Sequence, residues 1–317
     1  MATDRYPRTR PVHGGVHTDE VLRTQDQMLD PLPVRRRFVE TRGGHRVHVV
    51  EAGEGPPTVL LHGTNTSSLS FVPLLRLLEG VHGAAVDRPG RGLSDPDPVP
   101  RARFREAAVE FVDDVLDALQ IDTGSLVGQS GGGIWTLWYA MARPERVRSI
   151  VLLGSVPLLP ETRCPAPLRV LATPGLGTLL TRVARPTPRS LVRLLSSVGE
   201  GDTIVRYPDL IDALVATGND PVARTADLAE LRALIQPLGF RRSMRLSAEE
   251  LQTIGAPTLL IWGDRDPVGS VDAARTAARL IPNARLEVLP AGHVPQLGHP
   301  QRIAAMLSNF LGPDGGA

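Results

Sequence analysis

The sequence predicts an α/β protein, with a mostly parallel central sheet, helices on both faces, and a helical cap inserted into it. Three observations carry this expectation. Short apolar runs of the kind buried on both faces alternate with segments of helical period. The alternation stops over residues 157–248, a proline-rich block with amphipathic stretches and no convincing buried strand, and resumes at Pro257. The turns that follow the expected strands collect the polar residues that carry chemistry.

The elements follow in order. Residues 1–34 are polar and punctuated by proline, and read as a flexible N-terminal arm with one helix near Glu20–Leu29. Arg46–Val50 alternates polar and apolar residues and favours a strand. Pro57–His62 is a Val-Leu-Leu strand ended by Gly63. Ser70–Leu78 has helical spacing, and Gly83–Val86 is a short strand ended by Asp-Arg-Pro-Gly. Glu106–Leu119 places Val109, Val112, Leu116 and Leu119 on one helix face. Ser125–Val127 is a strand, Gly133–Ala142 an apolar helix and Val147–Leu153 a strand. Beyond the block come a strand at Pro257–Trp262, a helix at Val271–Leu280, a strand at Arg285–Leu289 and a closing helix at Gln301–Leu311. Inside the block, Ser190–Leu195 and Ala226–Leu234 are amphipathic, and Pro174-Gly175 and Pro186–Pro188 are candidate hinges. The expected division is 35–156 and 249–317 as core and 157–248 as cap.

Composition narrows the function classes. The 317 residues carry 35 Lys+Arg against 34 Asp+Glu, a formal net charge of +1, which gives no support for a nucleic-acid partner. Arg5, Arg8, Arg10, Arg35, Arg36 and Arg37 read as solvated residues rather than a binding patch. No apolar run approaches the roughly 18 residues of a membrane span. The first residues lack the apolar stretch of a signal peptide, so a cytoplasmic protein is expected. Cys164 is the one cysteine, which rules out an internal disulfide and reads as a packed or surface thiol.

Gly128-Gln129-Ser130-Gly131-Gly132 matches G-x-S-x-G where a strand gives way to a helix. In that setting a sharp turn lifts a serine hydroxyl above the sheet, and the helix N-terminus favours developing negative charge. The flanking glycines fit the close passage of strand and helix. A nucleotide-binding loop would need G-x-G-x-x-G or a Lys-Ser/Thr ending, and neither is present. A serine needs a base, and the base needs an orienting acid. Asp264 and Asp266 follow one expected strand, and His293 follows the next, in the order Ser, Asp, His. His299 stands before Pro300 at the expected start of the last helix and is the lesser candidate.

Leu61-His62-Gly63-Thr64, Asp87-Arg88-Pro89-Gly90-Arg91-Gly92-Leu93-Ser94, Gly128–Gly132, Trp262–Asp266 and Gly292-His293-Val294-Pro295 together resemble the cap-bearing, serine-dependent branch of the α/β-hydrolase superfamily, with its esterase, C–C hydrolase and haloperoxidase-like members. The resemblance runs from about residue 36 to 312 and implies a cap inserted after the sixth strand. It implies Ser130 as nucleophile, His293 as base and Asp266, the second of a G-x-x-D stretch, as the acid. Gly131 N–H and Thr64 N–H would form the oxyanion hole, with Asn65 as alternative. His62 would hold the oxyanion loop. Arg88 and Arg91 would form structural ion pairs, and Trp135, Trp138 and Tyr139 would pack the core. Similar sequences carry a glutamate five residues after the histidine, where this chain has Gly298.

The expected function is a serine hydrolase acting on a small-molecule ester, thioester or lactone through an acyl-enzyme, with no metal and no organic cofactor. Cleavage of a carbon–carbon bond in a vinylogous diketone is the alternative within the enzyme class. Its members tend to have a glycine-rich oxyanion loop, whereas here the loop reads Thr-Asn-Thr-Ser-Ser. An aminopeptidase-like relative would need an acidic cap site, for which Glu200, Asp202, Glu249 and Glu250 are the candidates. A lyase, cyclase or acyl transferase of secondary metabolism and a slow-turnover ligand-binding protein complete the alternatives.

Overall fold

The computed structural model describes residues 16–313. Among the described residues, ten strands lie in two sheets. The large sheet has eight strands in the order β1-β2-β4-β3-β5-β6-β9-β10. These are β1 (Arg35–Glu40), β2 (Arg46–Ala52), β3 (Pro57–Leu61), β4 (His82–Val86), β5 (Gly124–Gln129), β6 (Val147–Leu153), β9 (Thr258–Gly263) and β10 (Ala284–Leu289). β7 (Ile235–Gln236) and β8 (Gly239–Phe240) make a two-residue antiparallel ladder within the inserted block. In the large sheet β1 and β2 pair antiparallel, as do β2 and β4, and the remaining neighbours are parallel.

Alternate residues of the central strands feed two cores. Val59, Leu61, Leu126, Ile150, Leu152, Leu260 and Trp262 face helices Phe104–Ala118, Gly131–Ala142 and Val271–Leu280. Leu60, Val127, Val151, Leu153, Leu259 and Ile261 face the other way, toward Val72–Leu75 and Pro300–Leu311. That two-sided burial is why these strands read as unbroken apolar runs. Each large side chain so buried contributes roughly 1.5–3 kcal/mol.

Three expectations need correction. The flexible arm is wrong for the described part of residues 1–34. Asp19–Leu29 is a helix whose Val21, Met28 and Leu29 are buried, and it packs against cap helix Pro208–Asn219. Arg5, Arg8 and Arg10 lie outside the described residues. Arg35–Arg37 are not simply solvated either, because they open β1. Arg37 Nε donates to Glu51 Oε2 on β2 at 2.9 Å, and Arg36 Nη1 to Asp26 Oδ1 at 2.6 Å. The Ser70–Leu78 helix is shorter than expected, a 3₁₀ turn at Ser68–Phe71 followed by Val72–Leu75.

Between β6 and β9 the chain forms helices Ala166–Ala172, Leu176–Val183, Pro188–Ser197, Gly201–Ile204, Pro208–Asn219 and Pro221–Leu234, then Ala248–Gln252. Among the described residues no helix is long and apolar enough to cross a membrane.

Candidate active site

Ser130 sits between β5 and helix Gly131–Ala142 with φ 49° and ψ −115°, a conformation strained for a residue with a side chain. The turn is tight because a Cβ on Gly132 would stand 2.0 Å from the Leu61 carbonyl oxygen, and one on Gly128 2.5 Å from Gly133 Cα. Ser130 is 8% exposed, so its hydroxyl is nearly enclosed.

Three of the expected residues meet at this turn. His293 Nε2 lies 2.8 Å from Ser130 Oγ, and His293 Nδ1 lies 2.8 Å from Asp266 Oδ2. A carboxylate only accepts, so Nδ1 carries the proton and Nε2 offers its lone pair to the serine hydroxyl. Asp266 also accepts Ser155 N–H at 2.8 Å and Val268 N–H at 2.9 Å. Burial opposes its ionisation, but the interaction with His293 and these hydrogen bonds outweigh burial and hold its pKa below the usual carboxylate value. Asp264 is left outside, with a half-exposed side chain 3.7 Å from Arg265 Nε. His299 also stays away, its Nε2 3.2 Å from the Pro290 carbonyl at the start of the last helix.

Thr64 and Gly131 are neighbours. A Cβ on Gly131 would lie 3.3 Å from Thr64 N. Among the described residues neither N–H has a hydrogen-bond acceptor. Asn65 N–H is committed to Asp227 Oδ1 at 3.3 Å. The Thr64 hydroxyl donates to Glu230 Oε1 at 3.3 Å.

His62 is fully buried. Its Nδ1–H donates to the Gly63 carbonyl at 2.8 Å and its Nε2 accepts Arg88 N–H at 3.0 Å. Burial first, and the Arg88 charge second, lower its pKa to about 3, so it is a neutral brace between the two loops. The Asp87–Ser94 turn winds around the Asp87 carboxylate, which accepts Ser68 N–H at 2.7 Å, Leu93 N–H at 3.1 Å and His48 Nδ1–H at 2.8 Å. Gly92 is obligatory here, at φ 57° with no room for a Cβ against Asp87.

The same turn presents Arg88 and Arg91 to cap helix Pro221–Leu234. Arg88 Nη1 donates to Glu230 Oε1 at 2.9 Å, and Arg91 Nη2 pairs with Glu230 Oε2. Arg91 Nε donates to Asp227 Oδ1 at 2.8 Å. Burial opposes ionisation of Glu230, and the two arginines outweigh it, lowering its pKa to about 2. Sequence reasoning missed Asp227 and Glu230, because nothing local marks two acids on an amphipathic helix as partners of a turn more than a hundred residues earlier. A cavity of about 910 Å³ lies beyond Glu230, lined by Pro98, Phe104, Trp135, Ala226 and Ala229 among others. Glu230 and Arg91 are part of its wall, whereas Ser130, Asp266 and His293 are not.

Trp138 and Tyr139 are core side chains, and Trp135 is buried between Phe104 and Phe111. Burial raises the Cys164 thiol to about 11, so it is no thiolate nucleophile near neutral pH. Glu200, offered as an acidic cap site, is buried on backbone N–H groups of the His293 loop. Among the described residues no group of three His, Cys, Asp or Glu could hold a metal ion.

A sheet of this order with a serine at the end of β5 and a helical insertion after β6 defines the class of α/β hydrolases. Residues 58–306 match the family model described as the alpha/beta hydrolase family. The chain is 32% identical over 289 residues to a 2-hydroxymuconate semialdehyde hydrolase of Pseudomonas putida, covering 84% of this chain and 91% of that protein. It is 32% identical over 280 residues to a pimeloyl-[acyl-carrier protein] methyl ester esterase of Stenotrophomonas maltophilia, covering 84% and 96%. The solved structure of carboxylesterase CesB from Bacillus subtilis has the same fold, with a TM-score of 0.72 at 24% identity over 93% of this chain and 99% of that one. The chain therefore belongs to the alpha/beta hydrolase family, and these relatives are hydrolases.

Proposed function

We propose that the protein is a serine hydrolase cleaving a small-molecule carboxylic ester, thioester or lactone through an acyl-enzyme on Ser130. The observation that carries this reading is the hydrogen-bonded series Ser130 Oγ–His293–Asp266. Ser130 Oγ attacks the carbonyl carbon as its proton passes to His293 Nε2. The oxyanion rests on Gly131 N–H and Thr64 N–H, donors worth roughly 2.7–4 kcal/mol each in such sites. The carbonyl re-forms, the C–O or C–S bond breaks, and the leaving group takes the proton from His293. A water then gives its proton to His293, attacks the acyl carbon, and returns Ser130 as the hydroxyl. Asp266 keeps the imidazole in the productive tautomer throughout.

The similarity to a 2-hydroxymuconate semialdehyde hydrolase favours a second reading, in which the same serine–histidine pair cleaves a carbon–carbon bond. A fluorophosphonate probe on wild type and Ser130→Ala, followed by turnover of p-nitrophenyl esters of increasing chain length and of a vinylogous diketone, separates the readings. Labelling lost in Ser130→Ala together with ester turnover supports the proposal. Turnover confined to the diketone moves the second reading to the front, and an unlabelled wild type overturns both.

A further inference from the structure

The base is held from the cap. Glu200 lies between cap helices Pro188–Ser197 and Gly201–Ile204 and is 1% exposed. Its Oε1 accepts Gly292 N–H at 2.9 Å and Val294 N–H at 3.3 Å, the two residues that flank His293. His293 N–H itself donates to the Val198 carbonyl at 2.9 Å. Three consecutive N–H groups of the base's loop thus end on two residues of the inserted block. The backbones touch there, since a Cβ on Gly292 would stand 2.1 Å from Val198 O. The core holds the loop on its other side, where Gln129 Nε2, next to the nucleophile, donates to the His293 carbonyl at 3.2 Å.

We infer that Glu200 is a positioning residue for His293. Through its carboxylate the cap fixes the loop so that Nε2 stands within hydrogen-bond distance of Ser130. This rests on the serine-hydrolase reading. A buried carboxylate with two N–H donors also serves as plain cap-to-core adhesion, so the test must separate positioning from stability.

The probe is the fluorophosphonate reagent, read as a second-order labelling rate, with kcat and KM for the best p-nitrophenyl ester and the melting temperature measured alongside. Glu200→Asp keeps the charge and withdraws it by one methylene. It and Glu200→Ala should label about 100-fold more slowly, the cost of misplacing a reacting group by about 1 Å, with kcat reduced and KM little changed. Glu200→Gln retains an acceptor oxygen and should stay closer to wild type than Glu200→Asp. A Cβ on Gly298 would lie 3.5 Å from Glu200 Oε2, so Gly298→Glu offers a carboxylate to the same place from the core side. Adding it to Glu200→Ala should recover labelling.

Wild-type protein that resists the probe overturns the hydrolase reading, and this inference with it. Labelling of wild type with Glu200→Asp and Glu200→Ala equally fast overturns the inference alone. A folded Glu200→Ala/Gly298→Glu protein as slow as the single variant also counts against it, as does a rate loss in Glu200→Gln equal to that in Glu200→Ala.

Discussion

The two aspartates of the loop after β9 are the sharpest contrast between neighbouring residues of one chemical type. Asp266 accepts from His293 and from two backbone N–H groups, whereas Asp264 points toward solvent beside Arg265. Asp266→Asn should therefore lower kcat by about 10⁴-fold, by allowing the wrong imidazole tautomer. Asp264→Asn should leave kcat within the same order of magnitude, and steady-state ester kinetics on the two variants checks the pair. Glu230 poses a different question, because a buried carboxylate beside the proposed oxyanion site is electrostatically unfavourable unless neutralised. Arg88 and Arg91 supply the compensation. Glu230→Ala should destabilise the fold by about 3–5 kcal/mol, since it leaves two arginines buried without that partner. Urea unfolding of wild type and variant measures the loss.

Among the elements, the nucleophile turn tolerates the least change. Gly132→Ala would drive a methyl into the Leu61 carbonyl, where strand β3 passes helix Gly131–Ala142. The expected outcome is a lowered melting temperature together with loss of labelling, read by calorimetry and by the probe. The N-terminal helix is joined to the cap by charge as well as packing. His17 Nδ1 lies 3.2 Å from Asp220 Oδ1. Burial works against the His17 imidazolium, but the hydrogen bonds and charge of Asp220, with the Ser94 carbonyl, outweigh it and raise its pKa above 6.5. The stability it contributes is complete below 6.5 and is lost as pH rises through the raised value. Burial opposes ionisation of Asp220, and its bonds to His17, Ala223 N–H and Thr18 N–H lower it to about 2, so its contribution is present above 3.8 and fades as pH falls toward 2. Melting temperatures of wild type and His17→Ala should differ most between about pH 4 and 6.5 and converge at higher pH.

At the scale of the whole molecule, the proposed active centre is assembled by three parts of the chain that fold back on one another. The C-terminal ends of β5, β9 and β10 lead into the turns that carry Ser130, Asp266 and His293. The loops after β3 and β4 supply Thr64 and the arginines. The insertion supplies Glu230 from above and Glu200 from the side. The amino-acid sequence by itself determined the two-sided burial of the central strands, the strand–turn–helix around Ser130 and the order of the three chemical residues. Each of these is a local pattern, written by period, by glycine at a crowded turn, or by a polar residue just past an apolar run. The edge strand β1 escaped that reading because Arg35–Arg37 hide its alternation, and their charges make sense only beside Glu51 on the next strand and, for Arg36, Asp26 and Asp30. Tertiary structure alone decided that the helix Asp19–Leu29 docks on the cap, that Asn65 N–H is spent on Asp227 while Thr64 N–H stays free, and that Glu200 serves the histidine loop rather than a ligand. Those outcomes depend on which buried charges and N–H groups find each other across long stretches of chain, and such pairing leaves no period or spacing in the sequence.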